Sequence, residues 1–291
     1  MSARSSRIAL FHAIEPGSQF WAREISRIGV EDVFAGLLER RYDPVKSAQA
    51  IKQLENFNLD NFELELARYG AHCITPADAA WPITVDLLEN PPLALIVKGN
   101  LEALNNSSLA IVGTRNPTPY GIRIAGDFAA GFVDREWAIV SGGAYGIDAA
   151  AHRGALVAEG CTIAVIASGI DSPYPSGNAK LFSEIVENGA IVSEVSMGVP
   201  ALPHRFLTRN RLIAALSKST LVVEAAFRSG SLRTARDAAE LMKPVMAIPG
   251  PINSPSSEGC HRLIGERSAE LVTSVADACE LLSVINETIP M

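Results

Sequence analysis

Residues 108–152 read SLAIVGTRNPTPYGIRIAGDFAAGFVDREWAIVSGGAYGIDAAAH. An apolar run from Ser108 ends at Gly113 and passes through a hydroxyl, a cation and a proline-stiffened turn into a helix. A second run, Trp137 to Ser141, ends in a glycine-rich loop that opens another helix. Strands that are apolar along their whole length and alternate with helices must be covered on both faces, which requires a mostly parallel sheet. The same texture recurs outward from here, with β-rich runs at 71–75, 93–99, 162–167, 190–195, 220–225, 244–249 and 269–273. The fold class is therefore α/β, a doubly wound and mostly parallel sheet, whose ligands bind beyond the carboxyl ends of the strands.

Upstream the pattern is helical. Residues 20–29, 31–42, 44–57 and 61–70 carry helical spacing, broken at Asp43-Pro44 and at Asn58 to Asn61. A small all-helical domain is expected over 1–65, and the α/β domain over 66–291. The chain closes with one further helix and a short tail, so no further domain is expected.

The chain has 291 residues, 48% hydrophobic and 20% charged, with a net charge of -7. Those shares describe a folded globular protein. No apolar run reaches the ~20 residues of a membrane helix, and the N-terminus is too short in apolar residues for a secretory signal. A cytoplasmic protein with no membrane partner is expected. Cys73, Cys161, Cys260 and Cys279 are scattered without a C-x-x-C pair, so they read as reduced thiols, with no metal site and no cofactor.

The charge is unevenly spread. From Val199 to Arg236 there are seven basic residues and a single acidic one, Glu224. Within that segment, residues 204–217 read HRFLTRNRLIAALS. Leu212, Ile213 and Leu216 have the spacing of a buried helix face, with Thr208 as N-cap and Arg209, Asn210 and Arg211 in the first turn. Cations there oppose the helix dipole unless an anion sits among them, and phosphate is the usual one.

Four strand ends carry candidate binding loops: Gly113, Thr114 and Arg115 after the first run, Gly142 and Gly143 after the second, the rigid loop 168–175, and Ser229, Gly230 and Ser231 at a helix start. Glycine-rich loops of this kind aim backbone N–H groups at phosphate. Asp148 reads as a loop cap and His152 as a structural histidine. The dinucleotide fingerprint, the P-loop, H-E-x-x-H and G-x-S-x-G are all missing, and no nucleophile–base pair is visible, so binding explains these residues better than catalysis.

In order and spacing, IVGTRNPTPYG, SGGAYGIDAAAH, GIDSPYP, FLTRNRLIAALS, VVEAAFRSGSLRTA and AIPGPINSPSSEGCHRLI resemble the DNA-processing protein A (DprA/Smf) family over roughly residues 66–275. The helical N-terminus resembles the small helix-hairpin-like (SAM-like) domain that precedes the extended Rossmann-like domain in many members. The resemblance implies a non-enzymatic homodimer that binds and protects single-stranded DNA and hands it to a RecA-type recombinase in natural transformation. The family's G-[ST]-R motif falls on Gly113, Thr114 and Arg115, and its F-P-x-R-N-R motif on Phe206, Arg209, Asn210 and Arg211. Leu207 replaces the usual proline, His261 replaces an asparagine, and the winged-helix domain that ends many members is not expected here. Two alternatives stay open: a nucleotide-binding or nucleotide-processing protein akin to phosphoribohydrolases, against which Pro249-Gly250-Pro251 counts, and a phage or mobile-element DNA sensor. The sequence leaves the roles of His204 and Arg205 open.

Overall fold

Each apolar run overlaps a strand: β1 (Ala71–Ile74), β2 (Leu95–Gly99), β3 (Ser108–Val112), β4 (Ala138–Ser141), β5 (Thr162–Ile166), β6 (Gly189–Ser193), β7 (Ser219–Val222), β8 (Val245–Ala247) and β9 (Glu270–Leu271). In the computed structural model, which describes residues 2–288, they form one sheet in the order β1-β2-β6-β5-β4-β3-β7-β8-β9. From β6 to β9 all pairings are parallel, and β1 and β2 join antiparallel at one edge.

The pleat sorts β3 residues between two cores. Leu109 and Ile111 pack with α6 (Pro119–Val133), α7 (Ile147–Val157) and α12 (Val275–Thr288), while Ala110 and Val112 face the side of α9 (Pro203–Leu216), α10 (Ser231–Glu240) and α11 (Glu258–Gly265). No stretch of β3 meets water, which is why it reads as apolar without alternation.

The helical N-terminus holds five helices: α1 (Ala3–Ala13), α2 (Gln19–Ile28), α3 (Val30–Leu38), α4 (Pro44–Glu55) and α5 (Leu59–Arg68). The two sequence breaks are caps. Asp43 Oδ1 accepts from Val45 N at 2.8 Å, with Pro44 opening α4, and Asn58 Oδ1 accepts from Asn61 N at 2.9 Å at the start of α5. Helix α1 has no counterpart in the helical spacing read from the sequence; Ser2 caps it, and Ile8 and Phe11 are buried. Those two side chains, with Phe62 and Leu66 of α5, join Ile96 and Ile166 of the sheet and α8 (Ala179–Asn188) in a shared core. Among the described residues no helix is long and apolar enough to cross a membrane.

Helix α9 departs from the sequence reading. It starts at Pro203, with Leu202 as its N-cap residue, so Thr208 is not the N-cap but lies in the second turn, where its hydroxyl donates to His204 O at 3.3 Å. Arg209, Asn210 and Arg211 are therefore not in a first turn. Proline at N1 supplies the helix start without a side-chain cap. At the other end α9 has no cation of its own, and Lys243 Nζ donates to the carbonyls of Ala214, Ala215 and Ser217 at 3.1, 2.6 and 2.7 Å. One ammonium thus satisfies three orphan carbonyls at the negative end of the dipole. Lys243→Met is expected to cost about 2 kcal/mol, read as a lower denaturant midpoint at unchanged slope.

Candidate nucleic-acid interface

The strand order reverses direction at β3. From β3 the chain passes through α6 to β4 on one side, and from β6 it returns through α9 to β7 on the other. At such a switch point a crevice opens outside the carboxyl ends of the strands. Here Val223 N donates to Val112 O at 3.1 Å and Thr114 N to Glu224 O at 2.7 Å, which carries the pairing one step past the strands. A cavity of about 650 Å³ lies just beyond, bordered by the loop after β3, the first half of α9 and the start of α10.

Three side chains define its mouth. Arg115 is exposed and makes no ion pair with any described residue. Its guanidinium carbon stands 5.0 Å from the centroid of the Phe206 ring. Tyr174, half exposed, meets the same ring edge-on, with centroids 5.7 Å apart and planes at 67°. The cavity is closed by Asn210, whose Nδ2 donates to Gly230 O at 3.2 Å, and by Ser229 and Ser231, whose hydroxyls pair at 2.8 Å at the N-terminus of α10. Gly113 also lines it.

The loop carrying Arg115 is held from below by Glu224. Its carboxylate accepts from Thr118 N at 2.9 Å, Thr118 Oγ1 at 2.6 Å and Ser256 Oγ at 3.2 Å, and the residue is buried. The lone acid of the basic segment is thus spent on the backbone and hydroxyls that shape the loop.

Most cations of that segment are committed as well. Arg209 is buried, and its Nη1 donates to the carbonyl oxygens of Gly142, at 2.7 Å, and of Val165. Burial pulls its pKa down to about 10, against the opposing charge of Asp148. A Cβ on residue 142 would stand 2.1 Å from that Nη1, so Gly142 makes room for a guanidinium and does not line the cavity. Gly143, with φ +66°, turns the same loop, and Asn178 Nδ2 donates to its carbonyl at 3.0 Å. Asp148 is buried too; loss of solvation pushes its carboxyl up, while Arg209 and the N–H of Ala144 act the other way.

Arg211 points elsewhere. Its Nη2 binds both oxygens of buried Glu194, and its Nη1 donates to Asn90 O at 2.7 Å. Arg205 grips Glu15 at 2.6 and 2.8 Å, His204 meets the same carboxylate at 3.0 Å, and Arg233 pairs with Asp237 at 2.6 Å. Lys218 sits at the amino end of β7, on the edge away from the cavity. The structure thus brings together Gly113, Arg115, Phe206, Arg209, Asn210, Ser229, Gly230 and Ser231, and leaves Thr114, Gly142, Gly143 and Arg211 off the cavity wall.

His152 is fully buried, with a pKa pulled down to about 3 chiefly by burial. The Thr162 hydroxyl donates to Ile139 O at 2.9 Å, so it accepts from His152 Nδ1 at 2.7 Å, which fixes a neutral tautomer in a structural role. No group of three or more His, Cys, Asp or Glu side chains is placed to hold a metal among the described residues. The site residue that sequence reading missed is Tyr174. Its signal was the rigid loop after β5, but only the fold shows that this loop faces α9.

The sequence profile described as DNA recombination-mediator protein A matches residues 72–283. The putative DNA processing protein DprA of Mycobacterium tuberculosis is 40% identical over 94% of this chain and 77% of its own length. Protein Smf of Escherichia coli is 44% identical over 72% of this chain and 57% of its own length. The X-ray structure of DNA processing protein A from Streptococcus pneumoniae superposes with a TM-score of 0.79 at 30% identity, covering 96% of this chain and 98% of that one. The Helicobacter pylori protein of the same name, described for its single-stranded DNA binding mode, superposes with a TM-score of 0.66 at 32% identity, covering 73% of this chain and 95% of that one.

Proposed function

This chain belongs to the DNA recombination-mediator protein A family, and from that premise we propose that it binds single-stranded DNA in the switch-point cavity without turning it over. The observation that carries the reading is the Arg115–Phe206–Tyr174 group, an exposed cation without an acidic partner resting on an aromatic pair. A guanidinium answers a phosphate, and an aromatic face answers an unpaired base, which is the combination a single strand needs and a duplex hides. The hydroxyls of Ser229 and Ser231, with the start of α10, add neutral donors for phosphate oxygens. The single-stranded DNA binding named for the Helicobacter pylori relative supports the same assignment. The finer role follows the family: a cytoplasmic homodimer that protects incoming strands and passes them to a RecA-type recombinase.

Fluorescence anisotropy with single- and double-stranded oligonucleotides across a salt series tests this. Tighter binding to the single strand, falling linearly with the logarithm of salt, is expected. Equal affinity for both, or no binding to either, overturns the reading.

A further inference from the structure

Helix α9 has two working faces. At 100° per residue, Phe206, Arg209, Asn210 and Ile213 share the side that borders the cavity, while His204, Thr208 and Arg211 lie on the opposite side, with Arg205 at its edge. That second side is held by the turn between α1 and α2. Glu15 receives Arg205 through both carboxylate oxygens and His204 through one, and Arg205 also donates to Pro200 O at 2.7 Å. Gly17, at φ +72°, brings the turn so close that a Cβ there would stand 2.7 Å from Thr208 Cγ2.

The Arg205 side chain is only 13% exposed, so this is more than a loose surface contact. Loss of solvation opposes the ionised form of Glu15, yet the bond from Arg205 is the larger effect and holds its carboxyl below the ordinary value. Phe206, the ring under Arg115, is the residue that follows Arg205. A contact that fixes Arg205 therefore fixes the entry of the helix that presents the ring.

We propose that Glu15 is a positioning residue for the cavity, through which the helical N-terminus sets the placement of Phe206 and hence the affinity for single-stranded DNA. The inference rests on the reading of the cavity given above. It makes the N-terminal helices part of the binding apparatus rather than an appendage. Anything that engages the turn at residues 14–18 would change DNA affinity without touching DNA.

The test exploits charge. Glu15→Gln and Arg205→Gln both break the contact, but the first removes a negative charge near the DNA and the second a positive one. Simple electrostatics would tighten binding in Glu15→Gln and weaken it in Arg205→Gln. Loss of positioning weakens both, by about fivefold, and the reversed pair Glu15→Arg with Arg205→Glu recovers most of the affinity. Thermal unfolding of each variant, together with recovery in the reversed pair, separates positioning from general loss of fold. Unchanged or tighter binding in Glu15→Gln, with Phe206→Ala impaired in the same assay, overturns the role of Glu15. Unchanged binding in Phe206→Ala and Arg115→Ala overturns the cavity assignment, and the positioning role with it.

Discussion

Arg209→Ala is expected to lower folding stability by about 3 to 5 kcal/mol, the range for leaving a buried charge uncompensated. Its guanidinium is buried under the sheet's carboxyl ends, where it donates to Gly142 O and Val165 O. Truncation strips both carbonyls of their donor, opens a void, and leaves Asp148 in a dry site without its countercharge. The loss is expected to depend on pH. The Asp148 carboxyl already titrates above its ordinary value of 3.8, and removing Arg209 drives it further up. A folded-state pKa raised above the unfolded one means that the folded form prefers the protonated acid. The stability this contributes is present below the ordinary Asp range and is lost as pH rises toward the folded value. The Arg209→Ala deficit should therefore be larger at pH 8 than at pH 5. Denaturant unfolding at the two pH values measures it, and an equal deficit at both would remove Asp148 from the account.

The surroundings of Arg209 mark where sequence reading stops. The nine strands were legible because a strand covered on both faces has to be apolar throughout, and that pattern needs no knowledge of partners. The loops at their carboxyl ends were legible for a similar reason, since glycine, proline and hydroxyl residues cluster where backbone turns tightly. Helix α1 was not, because Ser5, Ser6 and Arg7 interrupt its apolar spacing. The first half of α9 was not either. Two of its faces are occupied, by the cavity and by the turn at Glu15, so no apolar stripe marks the helix before Leu212. The fate of each arginine was the least legible of all. Arg205 and its acid are 190 residues apart, and Arg209 donates to carbonyls that no composition reveals. Charge density drew attention to the segment 199–236, but only the fold separates Arg115, exposed and without an ion pair among the described residues, from Arg205, Arg209 and Arg211, which are already in use.

The second large effect concerns that free cation and the ring beneath it. Phe206→Ala is expected to cost roughly 1 to 3 kcal/mol of single-stranded DNA binding, the value of one base stacked on an aromatic side chain, with the salt dependence unchanged because no charge is lost. Arg115→Ala is expected to weaken binding for a different reason, and to flatten the slope of log affinity against log salt by about 0.7, one phosphate's worth on a single strand. Because Arg115 is exposed and unpaired while Phe206 is only partly buried, both variants should unfold near the temperature of the parent, in contrast to Arg209→Ala. The two losses should not add. The guanidinium lies over the ring at 5.0 Å, so removing Phe206 loosens Arg115 while leaving its charge at the site, and the double variant should lose less than the sum of the singles. A full double-mutant cycle by fluorescence anisotropy across salt reads all three quantities. Strict additivity would mean that the two side chains serve different parts of the strand. An unchanged slope in Arg115→Ala would mean that no phosphate sits there.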